Sequence, residues 1–450
     1  MFLFHSEIAL VFQHTNPSLL FLIVTKLAIP RSDIPHKIFS SYLLELGRES
    51  LYKGLGEDIM IGLSSLLETT TTFGDKLRYS EASRNQKTGT HHGHGPVVAW
   101  NITKTCNLHC LHCYSSSENK KYEGELSTEE AHDVINQLAD MKVPVILFSG
   151  GEPLIRPDIF ELAEHAISRG IRITFSTNGT LIDEKKAKRL KDLGISYVGI
   201  SLDGMQKTHD FFRQKEGAFD LAIRGIRNCM AVGQKVGLRF TMNKHNIEAL
   251  PDIFDLIERE NIPRVCFYHL VYAGRGGVED DITHQQTREA LDFIIEKIHY
   301  FQKSGQPREI LTVDNHADAI YLYLKVMETD PELAGRIWEK LQRNGGNRSG
   351  IAFCNIDHRG IVHPDQFSQN IALGNLREQS FAEIWQGDHP ILLGLRDRKS
   401  KIHGRCATCQ YFSVCNGNFR PRAQGFYGDF WASDPQCYLT EDEIHLAASI

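Results

Sequence analysis

The sequence predicts an α/β protein, a partial (β/α)6 TIM-like barrel followed by a smaller cysteine-rich C-terminal domain. Three observations predict it. Strand-like and helix-like patterns alternate six times between residues 97 and 269. The motifs singled out below for that stretch lie at predicted strand C-termini, where barrels of this kind carry their active sites. After Thr283 the alternation stops, and from Ile351 an irregular tail holds five of the ten cysteines.

The first strand, residues 97–102, feeds a cysteine-bearing loop. Ser127-Thr128-Glu129-Glu130 reads as a capping box, with Ser at the N-cap and Glu at N3, opening a helix to about Met141. Residues 145–148 form a buried strand ending at a glycine turn. A helix over 159–169 and a strand over 171–176 follow, then a helix over 184–193 and a strand over 197–201. Two further pairs comprise helix 219–232 with strand 236–242, and helix 250–260 with strand 265–269. Each repeat is short enough for a right-handed parallel crossover. Helices are expected over 285–303 and 315–341, then a Gly/Asn-rich break at 343–350. The expected organisation is an upstream extension or appendage at 1–59, an N-terminal segment and His-rich linker at 60–96, the barrel at 97–306 and the second domain at 307–450.

Composition bounds the function. Hydrophobic residues make up 41% and charged residues 24%, as in ordinary globular chains able to build a sizeable core. A net charge of −6 argues against a nucleic-acid or anionic-membrane partner. Apolar patches such as 19–24 are too short to span a bilayer, and no basic segment or cleavage site marks a secretory signal. The ten cysteines are Cys106, Cys110, Cys113, Cys229, Cys266, Cys354, Cys406, Cys409, Cys415 and Cys437. Seven fall in two clusters with ligand-like spacing, which favours metal over disulfides and a reducing, cytoplasmic location.

Cys106-x3-Cys110-x2-Cys113 puts three thiolates on one loop. They can hold three corners of a [4Fe–4S] cube and leave the fourth iron open; zinc with an outside ligand is the alternative. Gly150-Gly151-Glu152-Pro153 ends the next strand, where glycines let backbone approach a ligand closely. Ser176-Thr177-Asn178-Gly179 and Ser201-Leu202-Asp203-Gly204 end two more strands, and Arg239 lies on the fifth. In the tail, Cys406-x2-Cys409-x5-Cys415 with Cys437 supplies four thiolates, enough for a second [4Fe–4S] cluster or for tetrahedral zinc. Cys229 and Cys266 read as small core residues.

Together these motifs resemble the radical S-adenosylmethionine (SAM) enzymes with an auxiliary-cluster (SPASM) C-terminal domain. The resemblance implies a [4Fe–4S] cluster on Cys106, Cys110 and Cys113 that binds and reductively cleaves SAM. His112 would pack over that cluster. Gly150, Gly151, Glu152 and Pro153 would hold the methionine ammonium of SAM. Ser176 and Asn178 would meet its ribose or carboxylate, Ser201 and Asp203 would line it, and Arg239 would pair with its carboxylate. The chain departs from a full SPASM domain. Asp365 and Phe419 stand where that pattern carries cysteines, which leaves one auxiliary cluster, on Cys406, Cys409, Cys415 and Cys437, with Cys354 a leftover or structural thiol.

Residues 416–423, 428–432 and 434–439 resemble the tetrapyrrole-modifying branch of the family, which includes haem d1 biosynthesis proteins and didecarboxysirohaem deacetylases. Met60-Ile61-Gly62-Leu63-Ser64 and Pro364-Asp365-Gln366-Phe367 fit the deacetylases better. That branch implies removal of acetate side chains from 12,18-didecarboxysirohaem to give Fe-coproporphyrin III, with an electron donor such as ferredoxin or flavodoxin. Arg213, Arg275, Arg420 and Arg422 are candidate partners for the substrate carboxylates, and His269 and His363 for its iron. Propionate removal as in haem d1 synthesis, haem-synthase-type propionate decarboxylation, peptide maturation and a non-catalytic Fe–S carrier are the competing readings.

Overall fold

The computed structural model describes residues 60–70 and 95–445. The extension expected at 1–59 and the histidines of the linker at 91–94 lie outside the described residues.

The six predicted parallel strands are all present. They are β2 (Val97–Thr103), β3 (Val145–Gly150), β4 (Arg172–Thr177), β5 (Tyr197–Ser201), β6 (Val236–Met242) and β7 (Arg264–His269), each hydrogen-bonded to the next in parallel. A seventh, β8 (Glu309–Val313), joins β7 in parallel and was not expected. Its apolar run Ile310–Val313 is too short for periodicity to separate a buried strand from a helical turn. A short N-terminal strand, β1 (Met60–Ile61), pairs antiparallel with β8, so the segment after residue 59 belongs to the sheet.

At the other edge β9 (Phe353–Ile356) pairs in parallel with β2, followed by the antiparallel strands β10 (Ile361–His363) and β11 (Gly374–Asn375). Among the described residues the result is one eleven-stranded sheet, continuous across the division expected at residues 306/307. The sheet is curved. Val97, Ala99, Val145 and Leu147 from β2 and β3 share one buried cluster with Cys266, Tyr268, Leu311 and Val313 from β7 and β8.

Most of the helices bury an apolar stripe in the main core. They begin with α1 (Leu63–Leu66) and α2 (Thr128–Asp140), whose capping box forms as expected: Glu130 N donates to Ser127 Oγ and Ser127 N to Glu130 Oε2. Then come α3 (Ile159–Ser168), α4 (Glu184–Asp192), α5 (Gln206–Arg213), α6 (Ala218–Ala231), α7 (Leu250–Arg259) and α8 (His284–Lys303). The single helix expected over 315–341 is two, α9 (Ala317–Thr329) and α10 (Pro331–Asn344). Asp330 caps the second through Leu333 N at 3.0 Å, and Pro331 occupies its first position, where a missing N–H costs nothing. Short helices α11 (Phe381–Gln386), α12 (Pro390–Arg396), α13 (Arg405–Thr408), α14 (Phe412–Cys415), α15 (Arg420–Tyr427) and α16 (Glu441–His445) complete the C-terminal part. Among the described residues no helix is long and apolar enough to cross a membrane.

Candidate active site

The loop leaving β2 carries the first three cysteines. Cys106 and Cys110 are buried, Cys113 is half-buried, and the three pack together around Leu108. Each sulfur has a donor. Asn178 Nδ2 lies 3.9 Å from Cys106 Sγ, Arg213 Nη1 3.3 Å from Cys110 Sγ, and Ser117 N 3.5 Å from Cys113 Sγ. Burial, then the charge of Glu152, pushes the Cys106 thiol up to about 12. Burial raises Cys110 too, with Arg213 opposing it. Thiols so placed ionise when a cation compensates them, and the irons of a cluster do so. N–H groups aimed at the sulfurs also tune the potential of such a cluster.

The glycine turn grips this loop. A Cβ on Gly151 would stand 2.1 Å from Thr105 O, and one on Gly150, at φ +122°, 2.2 Å from Thr103 O. The close approach is backbone to backbone: Gly151 N donates to Thr103 O and Glu152 N to Thr105 O. Glu152 is fully buried. Its carboxylate accepts from Leu154 N, Thr177 Oγ1 and Asn178 N at 2.8–3.0 Å, so it ties β3 to the end of β4. Neither Glu152 nor Pro153, which opens a 3-10 turn, lines the cavity below, whereas Gly150 and Gly151 do. On the far side Arg275 holds the loop through Cys110 O at 2.8 Å and Ser117 O at 3.1 Å, and Gly274 packs against Cys113 O. Gly151→Ala is expected to displace the cysteine loop and slow SAM cleavage about a hundredfold, measured as 5′-deoxyadenosine formed by reconstituted protein.

Above the loop opens a cavity at the strand C-termini. It is lined by Cys106, Cys110, His112, Cys113, Ser176, Asn178, Ser201 and Arg239, which brings these predicted residues together. Arg239 lies with its guanidinium 4.7 Å from the centre of the Tyr268 ring. Asp203 is placed differently. It is buried behind the lining, with Arg213 Nε 2.6 Å and His112 Nε2 3.3 Å from its carboxylate. Burial works to raise its pKa, but Arg213 and His112 hold it below the usual range. It therefore positions two residues that do face the cavity. Sequence reasoning did not single out Thr241, Tyr268 or Asp314, single residues at strand ends with no motif around them, nor Ser149, which directly precedes the glycine turn. Gln366 and Phe367 arrive from the C-terminal part, and Phe367 packs edge-on against Tyr114 at 5.1 Å. Tyr114 and Phe367 also border an adjoining groove lined by Lys104, Gln369, Tyr272 and Phe430.

The second cysteine set also converges. Cys406, Cys409, Cys415 and Cys437 line one small cavity with Ala317, Ile320, Phe412 and Leu439. Burial, then the neighbouring Cys437, Cys406 and Cys409, holds Cys415 well above an ordinary thiol. This donor set fits a four-iron cluster. Among the described residues no three His, Cys, Asp or Glu side chains close around a single ion. A cube does not need them to, because each thiolate binds a different iron. Cys354 is apart, buried in β9, with its thiol raised by burial. Asp365 is buried and accepts from Phe367 N and Ser368 N, and Phe419 is buried among rings.

The basic residues offered for the substrate are mostly committed elsewhere. Arg420 donates to the carbonyls of Gly417, Phe430 and Ala432 inside the C-terminal part. Arg422 is paired with Asp434 at 2.7 Å, both fully buried. Arg275 clamps the cysteine loop and Arg213 serves Cys110 and Asp203. His363 is not among the residues lining the cavity, and its Nδ1 donates to Ile371 O at 2.7 Å. His269 lines the cavity and is held by Asp318 at 2.8 Å.

Comparison with known proteins assigns the class. The family description "Radical SAM superfamily" matches residues 100–257, and the SPASM "Iron-sulfur cluster-binding domain" matches 349–410. The chain belongs to the radical SAM superfamily: it is a radical SAM enzyme that uses a [4Fe–4S] cluster, SAM and auxiliary Fe–S chemistry. It is 50% identical over 396 residues to Fe-coproporphyrin III synthase of Methanosarcina barkeri, covering 86% of this chain and 99% of that protein. It is 41% identical to pre-heme d1 synthase of Dinoroseobacter shibae, over 79% of this chain and 89% of that one. In fold it is similar to Streptococcus suis SuiB bound to S-adenosylmethionine, with TM-score 0.62 at 18% identity over 77% and 78% of the two chains.

Proposed function

We propose that this enzyme removes the acetate side chains of 12,18-didecarboxysirohaem to give Fe-coproporphyrin III. The observation that carries this reading is the 50% identity to Fe-coproporphyrin III synthase over nearly all of that protein's length. In this reading Cys106, Cys110 and Cys113 hold the SAM-binding cluster, and Cys406, Cys409, Cys415 and Cys437 the auxiliary one. When bound, the first cluster and SAM supply a radical that abstracts hydrogen. The chain's own residues place the substrate. The backbone of Gly150 and Gly151, with Ser176, Asn178, Ser201 and Arg239, cradles SAM, while Asp203 holds Arg213 and His112 in register from behind. The macrocycle lies in the groove beside Tyr114 and Phe367, so that one side chain reaches the deeper cavity and is shielded from water there. The electron comes from a donor such as ferredoxin or flavodoxin in the cytoplasm, where the thiolates stay reduced.

The test is anaerobic turnover by cluster-reconstituted protein with SAM, a strong reductant and didecarboxysirohaem. Stepwise loss of two acetate groups with 5′-deoxyadenosine is the expected result. Loss of propionates from this substrate would move the chain to haem d1 synthesis, and unchanged tetrapyrrole would overturn the assignment.

A further inference from the structure

Asp314 is the residue immediately after β8, and it lines the same cavity as the three cysteines. It is 1% exposed, yet among the described residues neither carboxylate oxygen has a hydrogen-bond partner. Its backbone sits at φ +69°, a left-handed conformation that aspartate tolerates better than most residues. A buried, unpartnered carboxylate is costly, and such sites are kept where a ligand completes them. The cavity wall around Asp314 carries Arg239 from β6 and His269 from β7. Arg422 on α15 and Asp365 after β10 also act on its charge. Arg422 is already spent on Asp434, and His269 on Asp318.

Resting on the assignment of a tetrapyrrole substrate above, we propose that Asp314 binds the carboxylate of the acetate side chain to be removed, as the protonated acid donating a hydrogen bond to it. The environment supports this state. Burial lifts Asp314 to about 7, with Asp365 adding to the rise and Arg422, His269 and Arg239 opposing it. A substrate carboxylate brought alongside disfavours a second negative charge, so the pair holds one proton between them. Substrate binding then takes up a proton. The sign follows: Asp314 is more easily protonated in the complex than in the free enzyme. Affinity is therefore level below about pH 7 and falls about tenfold per pH unit above it, until the pKa of the complex is reached.

The experiment is calorimetric titration of anaerobic holoprotein with SAM and didecarboxysirohaem at pH 6 to 8.5, in buffers of different ionisation enthalpy. Wild type should take up close to one proton per substrate at pH 8. Asp314→Asn keeps a donor and tolerates the same backbone, so it should bind as wild type does near pH 6, with no uptake and no loss of affinity at higher pH. Asp314→Ala should bind about tenfold or more weakly, having lost the donor. SAM affinity should be unchanged in both variants, and Fe-coproporphyrin III, which lacks the acetates, should bind without the proton. Proton uptake that persists in Asp314→Asn, or with Fe-coproporphyrin III, overturns the proposal, as does an effect confined to SAM. Wild-type protein that fails to bind didecarboxysirohaem overturns both this proposal and the substrate assignment, whereas normal wild-type binding with unaltered variants overturns the role of Asp314 alone.

Discussion

Replacing Cys110 with alanine is expected to abolish SAM cleavage, a loss of at least about a thousandfold, while leaving a folded protein that still holds iron. Cys110 is buried at the back of the loop, and its sulfur receives the Arg213 guanidinium. Under the proposed assignment, the cube then loses one of its three protein ligands. The loop itself should survive, because its shape is fixed by backbone contacts to the glycine turn and by Arg275, not by the thiol. Iron content should fall by about four atoms per chain, the complement of one cluster, while the absorbance of the C-terminal cluster persists. Complete loss of iron would mean that the two centres do not assemble independently. Unchanged 5′-deoxyadenosine formation would remove Cys110 from the ligand set.

The second large effect concerns stability. Asp434→Ala should destabilise the protein by about 3–5 kcal/mol, because it strands the Arg422 guanidinium in a fully buried site. The same carboxylate also accepts from Phe419 N and Gln436 N, so two backbone donors lose their partner as well. The double change Asp434→Leu with Arg422→Met should cost much less, since it removes both charges. Denaturant titration of the two holoproteins measures the difference. The pair also makes stability fall in acid. Burial works to raise Asp434, but Arg422 outweighs it and holds the folded-state pKa below the ordinary carboxylate value. The contribution is therefore complete above the unfolded pKa near 4 and is lost as pH drops through the lower folded value. A double variant as unstable as Asp434→Ala would show that the packing, rather than the charge, is what matters here.

The sequence carried the strands that repeat and the motifs that cluster. Val97–Thr103 through Arg264–His269 were legible because each has its own apolar run and an adjoining helix of the right length. Glu309–Val313 was not, because a short apolar run between two helices carries no period of its own, and what makes it a strand is the edge that β7 offers. The site divides in the same way. The three cysteines and the glycine turn were visible as motifs, but the contacts of the turn with the cysteine loop were not. Its glycines are needed to meet the backbone of the cysteine loop, and Glu152 faces inward to join two strands. Arg420 and Arg422 looked like substrate ligands because they flank the second cluster, yet both are interior residues holding that region's loops together. Asp314 has no motif at all; only its position at the end of an unanticipated strand puts it in the cavity.

The pairing of β9 with β2 also sets the timetable of the chain's birth. Val97, Val98, Ala99 and Trp100 have one edge that must wait for partners near Phe353, and Asn355 Nδ2, which donates to Ala99 O, lies 256 residues downstream. At ordinary rates of synthesis that distance takes on the order of 10–50 s to emerge from the ribosome. Strand β2 is thus made well before it is completed, with an apolar, hydrogen-bond-hungry flank exposed meanwhile. The cysteine loop that β2 carries receives a finished support only once the chain has been made through β9.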